Sequence, residues 1–150
     1  MHEPLSGITV LELTLALQGP AAGVYLRDIG ADVIKIEPPT GDAFRYLRGK
    51  NNNTPPDALG PGFISANRGK RSVCLDIRSE EGREVLSRLL EKADVFLSNY
   101  RQPFLKSVGL DYESLAEEYP QLVYAHVSGF GPEGPDRDKA MLDGVAQERG

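Results

Sequence analysis

Between Ala43 and Ser72 the chain sets Arg45, Arg48, Lys50, Arg68, Lys70 and Arg71 against a single acid, Asp57. Guanidinium and ammonium groups at that density suit a compact polyanion, because they donate charge-assisted hydrogen bonds to phosphate and carboxylate oxygens. The whole chain has a net charge of −5. That argues against a long nucleic acid, and on charge alone the basic stretch reads first as a solvated loop that serves solubility and second as the contact for a small polyanionic ligand. Other reactive residue types are sparse. Cys74 is the single cysteine, so neither an intramolecular disulfide nor a Cys-based zinc site is available. Its neighbours Val73 and Leu75 predict a buried, unreactive thiol. His126 stands in the apolar run Leu122–Val127 with no second His or Cys nearby. It reads as a structural histidine at a strand end, and no metal site is expected.

These groups need a frame. A chain of 150 residues, 40% hydrophobic, fits one ordinary globular domain. It has no apolar run of about 18 residues and no secretory leader, so no membrane partner is expected and the cytoplasm is the default location. Ile8–Leu13 reads as a strand, Thr14–Gly19 as a loop, and Pro20 as the first turn of a helix stopped by Gly30. Asp32–Glu37 reads as a second strand, halted by Pro38 and Pro39. Pro38–Ala66 reads as a long irregular segment with a short helical turn over Asp42–Leu47. A strand over Ser72–Ile77 precedes a helix capped by Ser79, with Val85, Leu86, Leu89, Leu90 and Ala93 on one stripe. A strand at Asp94–Leu97, a short helix at Pro103–Val108, a helix capped by Asp111 and running through Glu118, and a strand at Leu122–Val127 follow. Ser128–Asp138 is a Gly/Pro loop, and a last helix begins near Leu142. The alternation predicts an α/β, Rossmann-like fold: a mainly parallel sheet flanked by helices, incomplete at the C-terminus. Ligands of such sheets bind beyond the carboxyl ends of the strands, here near Leu17–Gln18, Glu37–Pro38, Asp76–Arg78, Ser98–Tyr100 and Ser128–Gly131.

The first strand–helix–strand unit invites a nicotinamide reading, with Glu37 where a ribose-binding acid would stand. The turn, however, reads Leu17-Gln18-Gly19-Pro20-Ala21-Ala22-Gly23. G-x-G-x-x-G is absent, and Pro20 removes an N–H from the helix start that would face a pyrophosphate. No P-loop is present either.

Leu5–Leu13 (LSGITVLEL), Gln18–Gly23 (QGPAAG), Leu26–Glu37 (LRDIGADVIKIE), Asn67–Asp76 (NRGKRSVCLD), Glu81–Tyr100 ending in KADVFLSNY, Gly109-Leu110 and Ser128–Pro135 (SGFGPEGP) carry a resemblance. In order and spacing they resemble the N-terminal portion of the family III CoA-transferases, the group that includes carnitine CoA-transferases, formyl-CoA:oxalate CoA-transferase and the α-methylacyl-CoA racemases. The resemblance implies that residues 1–150 are a partial CoA-binding α/β domain. It also implies coenzyme A or acyl-CoA as a substrate rather than a permanently bound cofactor, and a carboxylic acid as the second partner. By this resemblance Leu17 and Gln18 line the thioester end, Leu75 and Arg78 meet the adenine end, and Asn99, Tyr100 and Arg101 contact the pantetheine and nucleotide. Arg68, Lys70 and Arg71 gain an anion-facing role, and Lys139 neighbours another CoA-contacting stretch, Ala140–Asp143. Tyr100 is left either to stack on the ligand or to pack.

Three positions depart from the family: Pro38 and Ser107 stand where some members carry an Arg or another base, and Ala140 where some carry a Lys. The family's nucleophile is an Asp that, by order of motifs, lies beyond Gly150, so no catalytic residue is expected in this stretch. Asp143 is left a supporting role or that of an acid in a helix's first turn. The stretch alone is expected to be inactive and the longer parent an interlocked homodimer. Leu142 stands where the racemases carry a proton-transferring His, which disfavours a racemase. A non-catalytic CoA- or nucleotide-binding module, or an inert truncation product, is the alternative.

Overall fold

The computed structural model describes residues 3–47, 55, 58–141 and 148. Five strands form one sheet: β1 (Thr9–Leu13), β2 (Asp32–Glu37), β3 (Arg71–Cys74), β4 (Val95–Ser98) and β5 (Val123–His126). Their order is β3-β2-β1-β4-β5 and every pairing is parallel. Successive strands leave β1 in one direction as far as β3, then restart with β4 on its other side. The topological switch point is therefore the seam between β1 and β4.

The helices are α1 (Gln18–Asp28), α2 (Pro61–Asn67), α3 (Glu80–Leu90), α4 (Gln102–Ser107) and α5 (Tyr112–Glu118). Alternation along the strands feeds both faces. Leu11, Leu13, Ile36 and Phe96 pack with Leu86 and Leu90 of α3, Leu105 of α4 and Leu115 of α5. Val10, Val33 and Leu97 point the other way, towards Ala22 and Leu26 of α1. Three helix starts show why the chain turns where it does. The Ser79 hydroxyl accepts from the Gly82 N–H at 3.0 Å, and Glu80 and Glu81 fill the first turn of α3, where the helix dipole favours acids. Asp111 accepts from the Ser114 N–H at 3.3 Å to cap α5. α1 starts two residues before Pro20, whose missing N–H falls among the unpaired donors of the first turn.

Two expectations change. The irregular segment after β2 does hold a 3-10 turn, Ala43–Arg45, but it also holds α2, a seven-residue helix. Gly60, Pro61 and Gly62 read locally as a turn, and the helix owes its existence to burial of Phe63 and Ala66 one turn apart. Cys74 is not buried. Its thiol is free and exposed, because β3 is an edge strand whose residues are largely open to solvent. The last helix expected from Leu142 lies outside the described residues.

Candidate functional site

The loop from β1 to α1 ends at the switch point and is tied from two sides. The Asn99 amide, just past β4, bonds both backbone groups of Leu15: Oδ1 accepts from the Leu15 N–H and Nδ2 donates to the Leu15 carbonyl, each at 2.8 Å. From the β2 side, Lys35 Nζ donates to the Thr14 carbonyl at 2.9 Å. Ala16, between them and α1, has φ of 64°, the one positive φ of a non-glycine among the described residues. Gly19 makes room: a Cβ there would lie 2.8 Å from Thr14 Cγ2 and 2.9 Å from Asn99 Cγ. Leu17 and Gln18 then emerge exposed at the start of α1.

A second group forms beyond β3 and β4. The Tyr100 and Phe104 rings lie 5.1 Å apart, tilted by 31°. The Arg78 guanidinium stands 6.0 Å from the Phe104 ring centre. Leu75, Tyr100 and Phe104 are half-buried against the same apolar cluster. Together they form a shelf with an aromatic floor and a cation at its rim, the arrangement a planar base with phosphates would meet. Burial pushes the Tyr100 hydroxyl up to about 12, with Asp42 adding to the rise. The phenol therefore stays protonated at neutral pH. His126 Nε2 donates to the Tyr100 carbonyl at 2.8 Å and Nδ1 accepts from Gln102 Nε2 at 3.3 Å. It braces the turn below Tyr100, as a strand-end structural histidine should. Arg101 is exposed at the N-cap position of α4.

The remaining expected residues do not join these groups. Arg71 opens β3, so it lies towards the other end of the strands, and its guanidinium bonds the Asp32 carboxylate. Lys139 lies on an exposed loop, 2.5 Å from Asp136. Asp143, like Leu142, lies outside the described residues.

A cluster of buried ions, invisible to the motif reading, supports the loop from beneath. Glu12, Lys35, Glu37 and Asp42 are each at most 3% exposed. Lys35 Nζ lies 3.1 Å from Asp42 and 3.6 Å from Glu12. Lys70 Nζ reaches Glu12 Oε2 at 2.7 Å and donates to the Pro20 carbonyl at 2.7 Å. Thr14 Oγ1 donates to Glu12 at 2.6 Å. Gly23 of α1 leaves the space Glu12 occupies, since a Cβ there would stand 1.8 Å from Glu12 Oε2. Glu37 accepts two bonds from Arg45 at 2.6 Å, one from Ser72 Oγ at 2.6 Å and one from the Asp42 N–H at 3.2 Å. Burial alone would raise its pKa, but these donors outweigh it and hold the carboxyl down at about 2. Burial lowers the Lys70 ammonium against the pull of Glu12.

The described cations of the basic stretch are thereby paired with acids of the same chain, two of them buried acids and two at the surface. Arg45 pairs with Glu37, Arg68 with Asp28, Lys70 with Glu12 and Arg71 with Asp32. Arg48 and Lys50 lie outside the described residues. The signal for the cluster was present in the strands. Glu12 in TVLEL and Lys35 and Glu37 in DVIKIE share the parity of Val10 and Val33, and a charge inside a doubly covered parallel strand must be paired. Phe104 was missed as well. Its position one helical turn past Tyr100 was the available sign.

Comparison with known proteins places the chain in a family. Residues 5–150 match the model of CoA-transferase family III. The chain is 40% identical over 141 residues to the cinnamoyl-CoA:phenyllactate CoA-transferase of Clostridium sporogenes, covering 94% of this chain and 34% of that protein. It is 42% identical over 147 residues to the succinate–glutarate CoA-transferase of Agrobacterium fabrum, covering 96% of this chain and 37% of that protein. A crystal structure of a CAIB/BAIF family protein from Brucella suis superposes with a TM-score of 0.88 at 41% identity, over 100% of this chain and 40% of that one. The chain thus spans little more than a third of the length of the curated relatives it matches.

Proposed function

The chain belongs to CoA-transferase family III, and from that premise we propose that it is the CoA-holding, N-terminal portion of an acyl-CoA:carboxylate CoA-transferase. The observation that carries this reading is the convergence, at the carboxyl edge of one parallel sheet, of an aromatic–guanidinium shelf and an exposed loop at the switch point. Leu75, Tyr100, Phe104 and Arg78 suit the adenine and its phosphates, and Leu17 and Gln18 suit the pantetheine and thioester end. Asn99 joins the two loops, and Arg101 adds an exposed cation. A cleft of about 200 Å³ beside Leu17, between α1 and α2, is too small for a coenzyme. CoA would instead lie along the open edge of the sheet.

In this reading an Asp outside residues 1–150 attacks the thioester carbonyl and expels CoA thiolate, leaving an acyl–aspartyl anhydride. The thiolate then attacks the aspartyl carbonyl, the donor acid leaves as its carboxylate, and an aspartyl-CoA thioester remains. The acceptor acid runs both steps in reverse. The longer parent is an interlocked homodimer in the same reading.

Calorimetric titration with CoA, acetyl-CoA and NAD tests the ligand. CoA and acetyl-CoA should bind and NAD should not; preference for NAD overturns the assignment. Residues 1–150 alone should give no exchange of CoA between acids. Robust exchange would sink the placement of the nucleophile.

A further inference from the structure

The geometry points to Asn99 as a positioning residue: its side chain holds the β1–α1 loop in one conformation rather than touching the ligand. This rests on the reading above that the loop meets CoA. The last ladder pair between β1 and β4 is Leu13 with Ser98. Beyond it the Asn99 amide takes over as a partner for Leu15, accepting from its N–H and donating to its carbonyl, the two bonds that two residues of a longer β4 would share. One oxygen and one N–H of the amide are thereby committed. Lys35, 1% exposed, fixes the preceding Thr14 carbonyl from the opposite side.

Between these ties and α1 sits Ala16, in the left-handed region that an alanine adopts only under constraint. A strained residue persists where its surroundings over-determine it, and here the surroundings are Asn99, Lys35 and the space left by Gly19. The constraint fixes the direction in which Leu17 and Gln18 leave the loop. It also explains an asymmetry in the sequence SNY: Tyr100 offers a ring to the shelf, whereas Asn99 turns its amide back to the neighbouring strand end.

The test compares wild type, Asn99→Ala and Asn99→Ala/Ala16→Gly by amide exchange at Leu15, by melting temperature and by calorimetric Kd for CoA. Asn99→Ala should speed exchange of the Leu15 amide about tenfold, the equivalent of one lost hydrogen bond. It should raise the Kd for CoA by a similar factor. Adding Ala16→Gly should recover several-fold of that affinity, because glycine holds a positive φ without penalty. If Asn99 instead bonded CoA directly, a glycine at position 16 could not replace that bond. A raised Kd that Ala16→Gly leaves unchanged overturns the proposal, as does an unchanged Kd with a freely exchanging Leu15 amide. Should Asn99→Ala not fold, Asn99→Asp keeps the acceptor for the Leu15 N–H and is read by the same rescue. If the wild-type chain binds no CoA, the functional reading fails, and the clamp is still judged separately by the Leu15 amide.

Discussion

The two faces of the sheet are built from the same strands and hold together by different physics. Towards α3, α4 and α5 the face is mainly apolar, from Leu11 and Leu13 to Phe96 and Leu105. Towards α1 and α2, β4 is apolar at Leu97, level with Glu12, and β1 and β2 are apolar only in the half near their starts, with Val10 and Val33. The half near the strand ends is ionic, with Glu12, Lys35, Glu37, Asp42 and Lys70. Apolar packing is non-directional and tolerates small shifts, whereas a buried ion is stable only with its partners in place. The ionic half lies directly under the loop of Thr14–Leu17. One face supplies cohesion, and the other fixes where a loop stands.

The largest effects should come from emptying either face. Phe96→Ala should cost about 3–5 kcal/mol in urea unfolding, as expected for an aromatic cavity in a packed core. Lys35→Met should cost about as much, about 3–5 kcal/mol, because it leaves Glu12 and Asp42 short of a counter-charge. If Lys35→Met proves nearly neutral, the contrast between the faces collapses.

Next comes acid sensitivity, which on the ionic face centres on Glu37. The Glu37 carboxyl is held at about 2 against an ordinary 4.5. A depressed folded-state pKa stabilises above the unfolded value, so its contribution of about 3 kcal/mol is full above pH 5 and fades as pH falls from 4.5 towards 2. Thermal melts across that range should show Glu37→Gln losing less stability on acidification than wild type. Ser79→Ala, on the apolar side, should cost about 1 kcal/mol through the lost cap of α3, at every pH in the series. Smallest of all is Arg71→Ala, which breaks an exposed pair with Asp32 and should change stability by less than about 1 kcal/mol. A larger loss would mean that surface charge, and not only buried charge, holds the β2–β3 side.

The fold was legible where local chemistry decides it. β2 has the expected bounds, Asp32–Glu37, because apolar alternation and the following prolines agree. The caps at Ser79 and Asp111 are side-chain bonds within one turn, readable from residue type. β3 was placed too far along. Among the described residues it pairs only with β2, where the Leu75 N–H still reaches the Glu37 carbonyl, but Pro39 has no N–H to answer the Leu75 carbonyl and the ladder stops. α2 was missed because its helix depends on tertiary burial of Phe63. At the site, sequence spacing could bring Asn99 and Tyr100 to one strand end. It could not show that the Asn99 amide turns towards Leu15, nor that most of the basic stretch meets acids of its own chain.

The seam that carries the candidate site also has a place in the order of assembly. Leu15 and Asn99 are 84 residues apart, whereas β1 and β2 are separated by a single helix. Closing the longer loop costs about 1 kcal/mol more in chain entropy. Pairings so distant in sequence are the slow ones to gather. A chain in which β1, β2 and β3 have already paired still has no site, since half of it waits on β4. The two bonds between Asn99 and Leu15 therefore serve as a marker of completed folding: where they exist, the loop at the switch point has its final shape.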